Sequence, residues 1–392
     1  MAKRGHGEGS IYQRKDGRWA ASITVEGHKR KTLYGKTRKE VQEKLRVALH
    51  EQKQGMLATG PQQTLKQYLE QWLEEVHRPT LRLSSYDRYR SLLNNHILPS
   101  LGHIQVNKLT VQQVQALYAR KVNEGLSAKT IQNIHGLLHK ALDNAVKWGL
   151  VSRNVCSVVS TPRLIRHEIH PLTKEQAQLL LEKVHGQGLE AILSLALVTG
   201  MRRGELLALR WQDIDFEAMS LHVSRTVNHL GRYGYVENEP KTARSRRKIM
   251  VPQFVIEVLH EHKARQAEAR LKAGSKWKEQ DLVFPNTSGG FIYPDVLLNQ
   301  FRKLLKNVGL PHMRFHDLRH SAATILLSMG VHVKVVQELL GHSAITMTMD
   351  VYSHVLPSMQ QEAMGKLNDL YRQGDGTKMI GESDVGGDNE AK

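Results

Sequence analysis

The stretch FHDLRHSAATILLSMG, residues 315–330, sets the choice of fold and chemistry for this chain. SAATILLSMG reads as helix. Carried back through FHDLRH, that helix puts His316 and His320 one turn apart on one face. Two histidines at that spacing, with an acid between them, match the outline of a zinc-peptidase motif. Alternatively, His316 and Arg319 could grip an anion such as a phosphate. The metal reading is weak on chemical grounds. A zinc peptidase uses H-E-x-x-H, with a glutamate long enough to act as base beside the metal. Here the acid is Asp317, one methylene shorter, and the fixed charge of Arg319 stands between the histidines. A third ligand would be needed, and His342 is the only close candidate. No metal and no cofactor are expected.

Composition favours the anion. The net charge of +18 and a pI near 9.8 attract polyanions, so nucleic acid is the expected partner. With 40% hydrophobic and 24% charged residues the chain reads as soluble and globular, and its 392 residues call for two or three domains. No apolar run approaches the roughly 20 residues that span a bilayer, so no membrane association is expected. The basic start lacks an apolar segment behind it, which argues against a secretory signal. Cys156, the single cysteine, cannot form an internal disulfide and fits a reducing, cytoplasmic setting.

Working outward, the pattern is multidomain and mainly α with small β parts. Residues 1–60 carry 14 basic against 6 acidic residues. Turn pairs at Asp16-Gly17 and Glu26-Gly27 predict a three-stranded sheet, followed by a helix with Val41, Leu45, Ala48 and Leu49 on one face. Arg14, Arg18 and Arg30 are candidate DNA contacts there. MLATGPQQ reads as a linker. Residues 64–160 predict a four-helix domain. Its first stripe is Leu65, Tyr68, Leu69, Trp72, Leu73 and Val76, and later helices start near Ser84, Thr110 and Ser127. These stripes are core, which leaves Arg88, Lys129 and Lys140 for DNA. Residues 167–372 form the largest domain, opening on a Thr173–Gln176 capping box. Helices are expected over 173–185, 188–198 and 203–210. SLHVSRTV and RRKIMVP are expected as strands, with the hairpin-like basic PKTARSRRK between them. The Gly- and acid-rich residues 373–392 are expected to be disordered.

Three further stretches join the first. TGMRRGELLALRW places Arg202 at a helix entry with Glu205 three residues on. PKTARSRR offers Lys241, and LLGHSAITMTMDVYSHV supplies His342 and then Tyr352. Each alone has a bland explanation: a surface arginine, a loop lysine, a packed tyrosine. In this order the set resembles the tyrosine recombinases, the phage integrase family. The likeness covers about 170–372. The preceding helices resemble that family's core-site DNA-binding domain, and residues 1–60 its small arm-site-binding domain.

The resemblance implies a site-specific recombinase that cleaves and rejoins DNA through a 3′-phosphotyrosine, without metal or ATP. Arg202 and Arg319 would hold the phosphate oxygens, since a guanidinium fork matches two of them and keeps its charge. Tyr352 would be the nucleophile, His316 its proton acceptor and Lys241 the proton donor to the leaving 5′-hydroxyl. His342 would donate to a non-bridging oxygen, and Glu205 would orient its neighbours. The family pattern places arginine three residues before the acid, which selects Arg202 and leaves Arg203 for the DNA backbone. Tyr371 is the other possible nucleophile but lacks the surrounding motif. The implied partners are double-stranded DNA with core and arm sites, a homotetramer on paired sites, and accessory bending or excision factors. A type IB topoisomerase and a non-catalytic DNA-binding regulator are the alternatives.

Overall fold

Amphipathic periods of 2 and 3.6 alternate along this chain, and each segment hides its apolar side in a local core. The computed structural model describes residues 9–24, 30–53, 63–164, 170–239, 246–342, 345, 349, 361 and 364–371. Contacts divide the chain into two compact units, 1–167 and 168–392.

In the first unit, β1 (Ser10–Gln13), β2 (Trp19–Thr24) and β3 (Arg30–Gly35) form the expected antiparallel sheet, in chain order. Gly17 has φ +80° in the first turn, a backbone that glycine adopts without strain. The second expected turn, Glu26-Gly27, lies outside the described residues. Ala21 and Ile23 bury one sheet face against Val41, Leu45 and Ala48 of α1 (Arg38–Lys53). A separate core belongs to the helices α2 (Leu65–Gln71), α3 (Leu83–Leu92), the short α4 (Leu98–Leu101), α5 (Val111–Asn123) and α6 (Ala128–Lys147). Thr64, Thr110 and Ser127 cap three of them by accepting the backbone N–H three residues on. The predicted stripe is buried from Leu65 through Leu73, with Val76 at its edge. After Gln71 the helix widens, and Arg78 N–H donates to the Leu73 carbonyl five residues back at 2.9 Å.

The second unit is built around α8 (Glu190–Thr199), of which every residue but Val198 is buried. Around it lie α7 (Lys174–Val184), α9 (Arg203–Leu207), α10 (Gln253–Ala273), α11 (Pro294–Val308), α12 (Asp317–Ser328) and α13 (Val333–Leu340). The Thr173–Gln176 capping box is present. β4 (Ile214–Asp215), β5 (Ser220–Val223) and β8 (Arg247–Met250) form one antiparallel sheet, while β6 (Thr226–Leu230) and β7 (Gly234–Asn238) form a second.

Two expectations need correction. The helix predicted over 203–210 ends at Leu207, because Leu209 and Trp211 exchange backbone hydrogen bonds with Val283 and Asp281 and run extended there. SLHVSRTV is two strands in different sheets, parted at Ser224-Arg225, where Arg225 pairs with Asp213. A further hairpin, with its turn at Gly231–Tyr233 and GYVEN as its second strand, stands upstream of the basic stretch, most of which lies outside the described residues. Residues 240–245 and 372–392 lie outside the described residues, so Lys241 and the acidic tail cannot be placed. Among the described residues no helix is long and apolar enough to cross a membrane.

Candidate functional site

The site forms where three helix ends meet in the second unit. α8 stops at Gly200, whose φ of +60° turns the chain left-handed and points its carbonyl at Arg319 Nη1, 2.7 Å away. A Cβ at Gly200 would lie 2.2 Å from Leu340 Cδ2, so any side chain there requires Leu340 to move. Two residues later Arg202 precedes α9. Glu205, only 4% exposed, accepts from Arg202 Nη1 at 2.8 Å and from its backbone N–H at 3.0 Å. Gly204 lets α9 lie close to β6, where a Cβ would meet Thr226 Oγ1 at 2.5 Å. α13 stops at Gly341, φ +66°, and hands the chain to buried His342. The Gly341 carbonyl accepts from Arg202 Nη2 at 3.3 Å.

Burial, reinforced by cationic crowding, sets the electrostatics. Arg319 is 4% exposed, and its Nη2 has no hydrogen-bond partner among the described residues. Burial, then Arg202 and Arg247, hold its pKa down at about 9 against the opposing pull of Glu205. A guanidinium keeps its proton at any working pH. The part of the shift due to Arg202 and Arg247 reflects positive charge that an incoming anion would offset. Burial followed by Arg319 and Arg202 lowers His342 to about 3, so its imidazole is neutral. His316, at the start of α12, is lowered to about 4 by desolvation of its ring, then by His320 and Arg319. One side of His316 remains open to solvent, and the shared direction leaves it neutral at pH 7. Burial would raise the Glu205 carboxyl, but Arg247 and Arg202 override it and hold it below the usual range.

His316 and His320 stand one turn apart as expected, their rings edge to face at 5.8 Å between centroids. Asp317 does not face them as a metal ligand would. It accepts from the backbone N–H of Arg314 at 2.9 Å and from that residue's Nη2 at 2.8 Å.

The fold thus gathers Arg202, Glu205, His316, Arg319 and His342. Lys241 and Tyr352 lie outside the described residues. Tyr371 is 76% exposed near the end of the helix at 364–371. Arg203 lines a pocket of about 490 Å³ together with Arg202, Arg314 and His316. The remaining DNA candidates belong to the first unit and are solvent-exposed: Arg14 and Arg18 beside the β1–β2 turn, Arg30 on β3, and Arg88, Lys129 and Lys140 on the helices. Arg14 and Arg18 are partly engaged by Asp16.

Sequence reasoning missed Arg247. Its guanidinium reaches Glu205 Oε2 at 3.0 Å and the Leu339 carbonyl at 2.6 Å. The signal was the strand alternation RKIM, in which Arg247 shares the buried face with Ile249. A charge on the inward face of a strand needs a buried partner.

The phage integrase family matches residues 170–359, and the phage integrase N-terminal SAM-like domain matches residues 64–122. A tyrosine recombinase XerC-like protein of Caldanaerobacter subterraneus subsp. tengcongensis is 35% identical over 360 residues, 87% of this chain and 92% of that protein. The ICEBs1 integrase of Bacillus subtilis is 28% identical, covering 73% of this chain and 77% of its own. In fold, the chain is similar to the Tn1549 transposon integrase solved with transposon right-end DNA: TM-score 0.65, 23% identity, 78% of this chain and 100% of that one. A lambda integrase dimer on a core site has TM-score 0.55 and 19% identity, over 89% of this chain and 96% of that one.

Proposed function

The chain belongs to the phage integrase family of tyrosine recombinases, enzymes that break and rejoin DNA at specific sites, and from that premise we propose that the pocket of Arg202, Arg319 and His342 receives the scissile phosphate while Tyr352 attacks it. One observation carries the assignment: a buried guanidinium nitrogen of Arg319 lacks a partner in a pocket crowded with positive charge. An anion with several acceptor oxygens satisfies that donor and relieves the crowding.

Attack on phosphorus forms a Tyr352 O–P bond and breaks the P–O5′ bond. The tyrosine proton passes to His316, which is neutral at pH 7 and so has a ring nitrogen able to take it. Lys241 supplies a proton to the departing 5′-oxygen. His342 donates through its N–H to a non-bridging oxygen, and the two arginines meet the charge that develops on the others. Donors aimed at developing charge are each worth roughly 3–4 kcal/mol in the barrier. The covalent 3′-phosphotyrosine retains the bond energy, so a second 5′-hydroxyl can displace it without ATP.

In this reading residues 1–60 hold arm DNA, 64–160 hold the core site and 167–372 perform the chemistry. The separate hydrophobic cores of the sheet and of the first helices support the first boundary. Arg14, Arg18, Arg30, Arg88, Lys129, Lys140 and Arg203 contact the DNA backbone. The working form is a homotetramer on paired sites in the cytoplasm, assisted by bending or excision factors. A lambda integrase tetramer has been solved on a Holliday junction, which supports that assembly. A topoisomerase would relax supercoils as a single protomer instead.

Covalent trapping on nicked core-site DNA tests the assignment. Tyr352→Phe removes only the hydroxyl, so it forms no adduct while site binding persists, because affinity comes from dispersed phosphate contacts. Tyr371→Phe traps DNA like the wild type. Adducts retained by Tyr352→Phe at wild-type yield would remove that residue as nucleophile.

A further inference from the structure

We infer that Arg247 is a positioning residue for strand cleavage: by occupying one oxygen of Glu205 it leaves the Arg202 guanidinium available to the phosphate. The inference rests on the preceding reading of the pocket. Glu205 has two oxygens and two arginines beside it. Oε1 takes Arg202 Nη1 at 2.8 Å, whereas Oε2 is shared by Arg247 Nη2 and the Arg202 backbone N–H, both at 3.0 Å. A buried carboxylate alone with Arg202 would form the bidentate fork that guanidinium and carboxylate prefer. That fork would turn both terminal nitrogens of Arg202 inward.

With Oε2 occupied, Arg202 is held by one strong bond and a long second one, to the Gly341 carbonyl at 3.3 Å. The exposures match this division: the Arg202 side chain is 36% exposed and that of Arg247 only 6%. Arg247 therefore faces the protein, and Arg202 faces the opening. The 2.6 Å bond from Arg247 Nε to the Leu339 carbonyl also ties β8 to the end of α13, three residues before His342. Three guanidiniums, from Arg202, Arg247 and Arg319, surround one carboxylate, so the cluster keeps an excess of positive charge for an anion to neutralise.

The test is single-turnover adduct formation on nicked core-site DNA, with binding of the same DNA measured in parallel. Arg247→Met fills similar space without the charge. Adduct formation is expected to slow about 100-fold, the order seen when one transition-state donor is lost, while the dissociation constant changes about twofold or less. Arg247→Lys keeps the charge but cannot span both acceptors, so it falls between the two. If Arg247 acts through Glu205, the Arg247→Met/Glu205→Gln pair is about as slow as the slower single variant, because both changes break one linkage. Exogenous guanidinium is expected to restore Arg247→Ala by about tenfold, an effect that lost packing would not allow. Should Arg247→Met fail to fold, Arg247→Lys combined with Glu205→Gln carries the same comparison. Wild-type rates in Arg247→Met, or losses that multiply in the pair, would overturn the inference. Absence of any adduct with the wild type would instead overturn the reading of the pocket.

Discussion

His342 illustrates how a single side chain couples this site to solvent conditions. Burial, then Arg319 and Arg202, lower its pKa from an ordinary value of 6.5 to about 3, so the folded protein resists protonating it. The unfolded chain has no such resistance and takes up the proton as pH falls below about 6.5. Stability attributable to His342 is therefore complete above that pH and is lost as pH falls towards about 3, at up to about 1.4 kcal/mol per pH unit. His342→Gln keeps a hydrogen-bonding side chain that does not titrate. Melting curves from pH 7.5 to 4.5 should show the wild type losing stability faster than the variant. Parallel curves would mean that His342 does not carry the linkage. His316 shifts in the same direction, and its open side makes its contribution smaller.

At the scale of elements, the pocket depends on where helices stop. α8 and α13 both end in left-handed glycines, Gly200 and Gly341, and these ends bring two carbonyls against Arg319 and Arg202. Replacing Gly200 puts a side chain on a left-handed backbone and displaces Leu340. Alanine there meets Leu340 at 2.2 Å in addition to the left-handed penalty. Gly186→Ala is the control, since Gly186 also has positive φ, at +72°, but open space around its Cβ position. Thermal unfolding should show Gly200→Ala destabilised by about 2–4 kcal/mol and Gly186→Ala by about 1 kcal/mol. Equal losses would show that Leu340 yields without cost. Adduct formation should fall only in Gly200→Ala, because its carbonyl is the acceptor for Arg319.

For the whole molecule, the question is what the first 60 residues contribute. Their sheet buries one face on α1, leaving Tyr12 and Tyr34 exposed at 45% and 48% on the other, with Arg14 over the Tyr34 ring at 5.3 Å. A basic, hydroxyl-rich sheet face of this kind can enter a groove. A chain starting at Gln62 should still cleave a short core site, while recombination of arm-bearing sites should fall sharply, because a tethered second contact raises local concentration. The isolated module should bind DNA with steep salt dependence. Full recombination of arm-bearing sites by the shortened chain would make residues 1–60 a solubilising extension.

What the sequence determined by itself was whatever depends on local order. Apolar periodicity marked the helices from Leu65 to Ala145, Thr173 announced its helix by capping, and the ordered set from Arg202 to Tyr352 identified the chemistry. Those signals are short-range or are carried by residue type, so they survive without coordinates. Tertiary structure alone decided the rest. Helix α9 stops at Leu207 because Leu209 and Trp211 pair with residues 74 and 70 positions away, Val283 and Asp281. SLHVSRTV divides because its halves find different partner strands. Arg247 enters the site because a strand folds its inward face against Glu205 across 42 residues of chain. Each is a pairing between distant segments, whose free energy depends on burial and geometry that no local window contains.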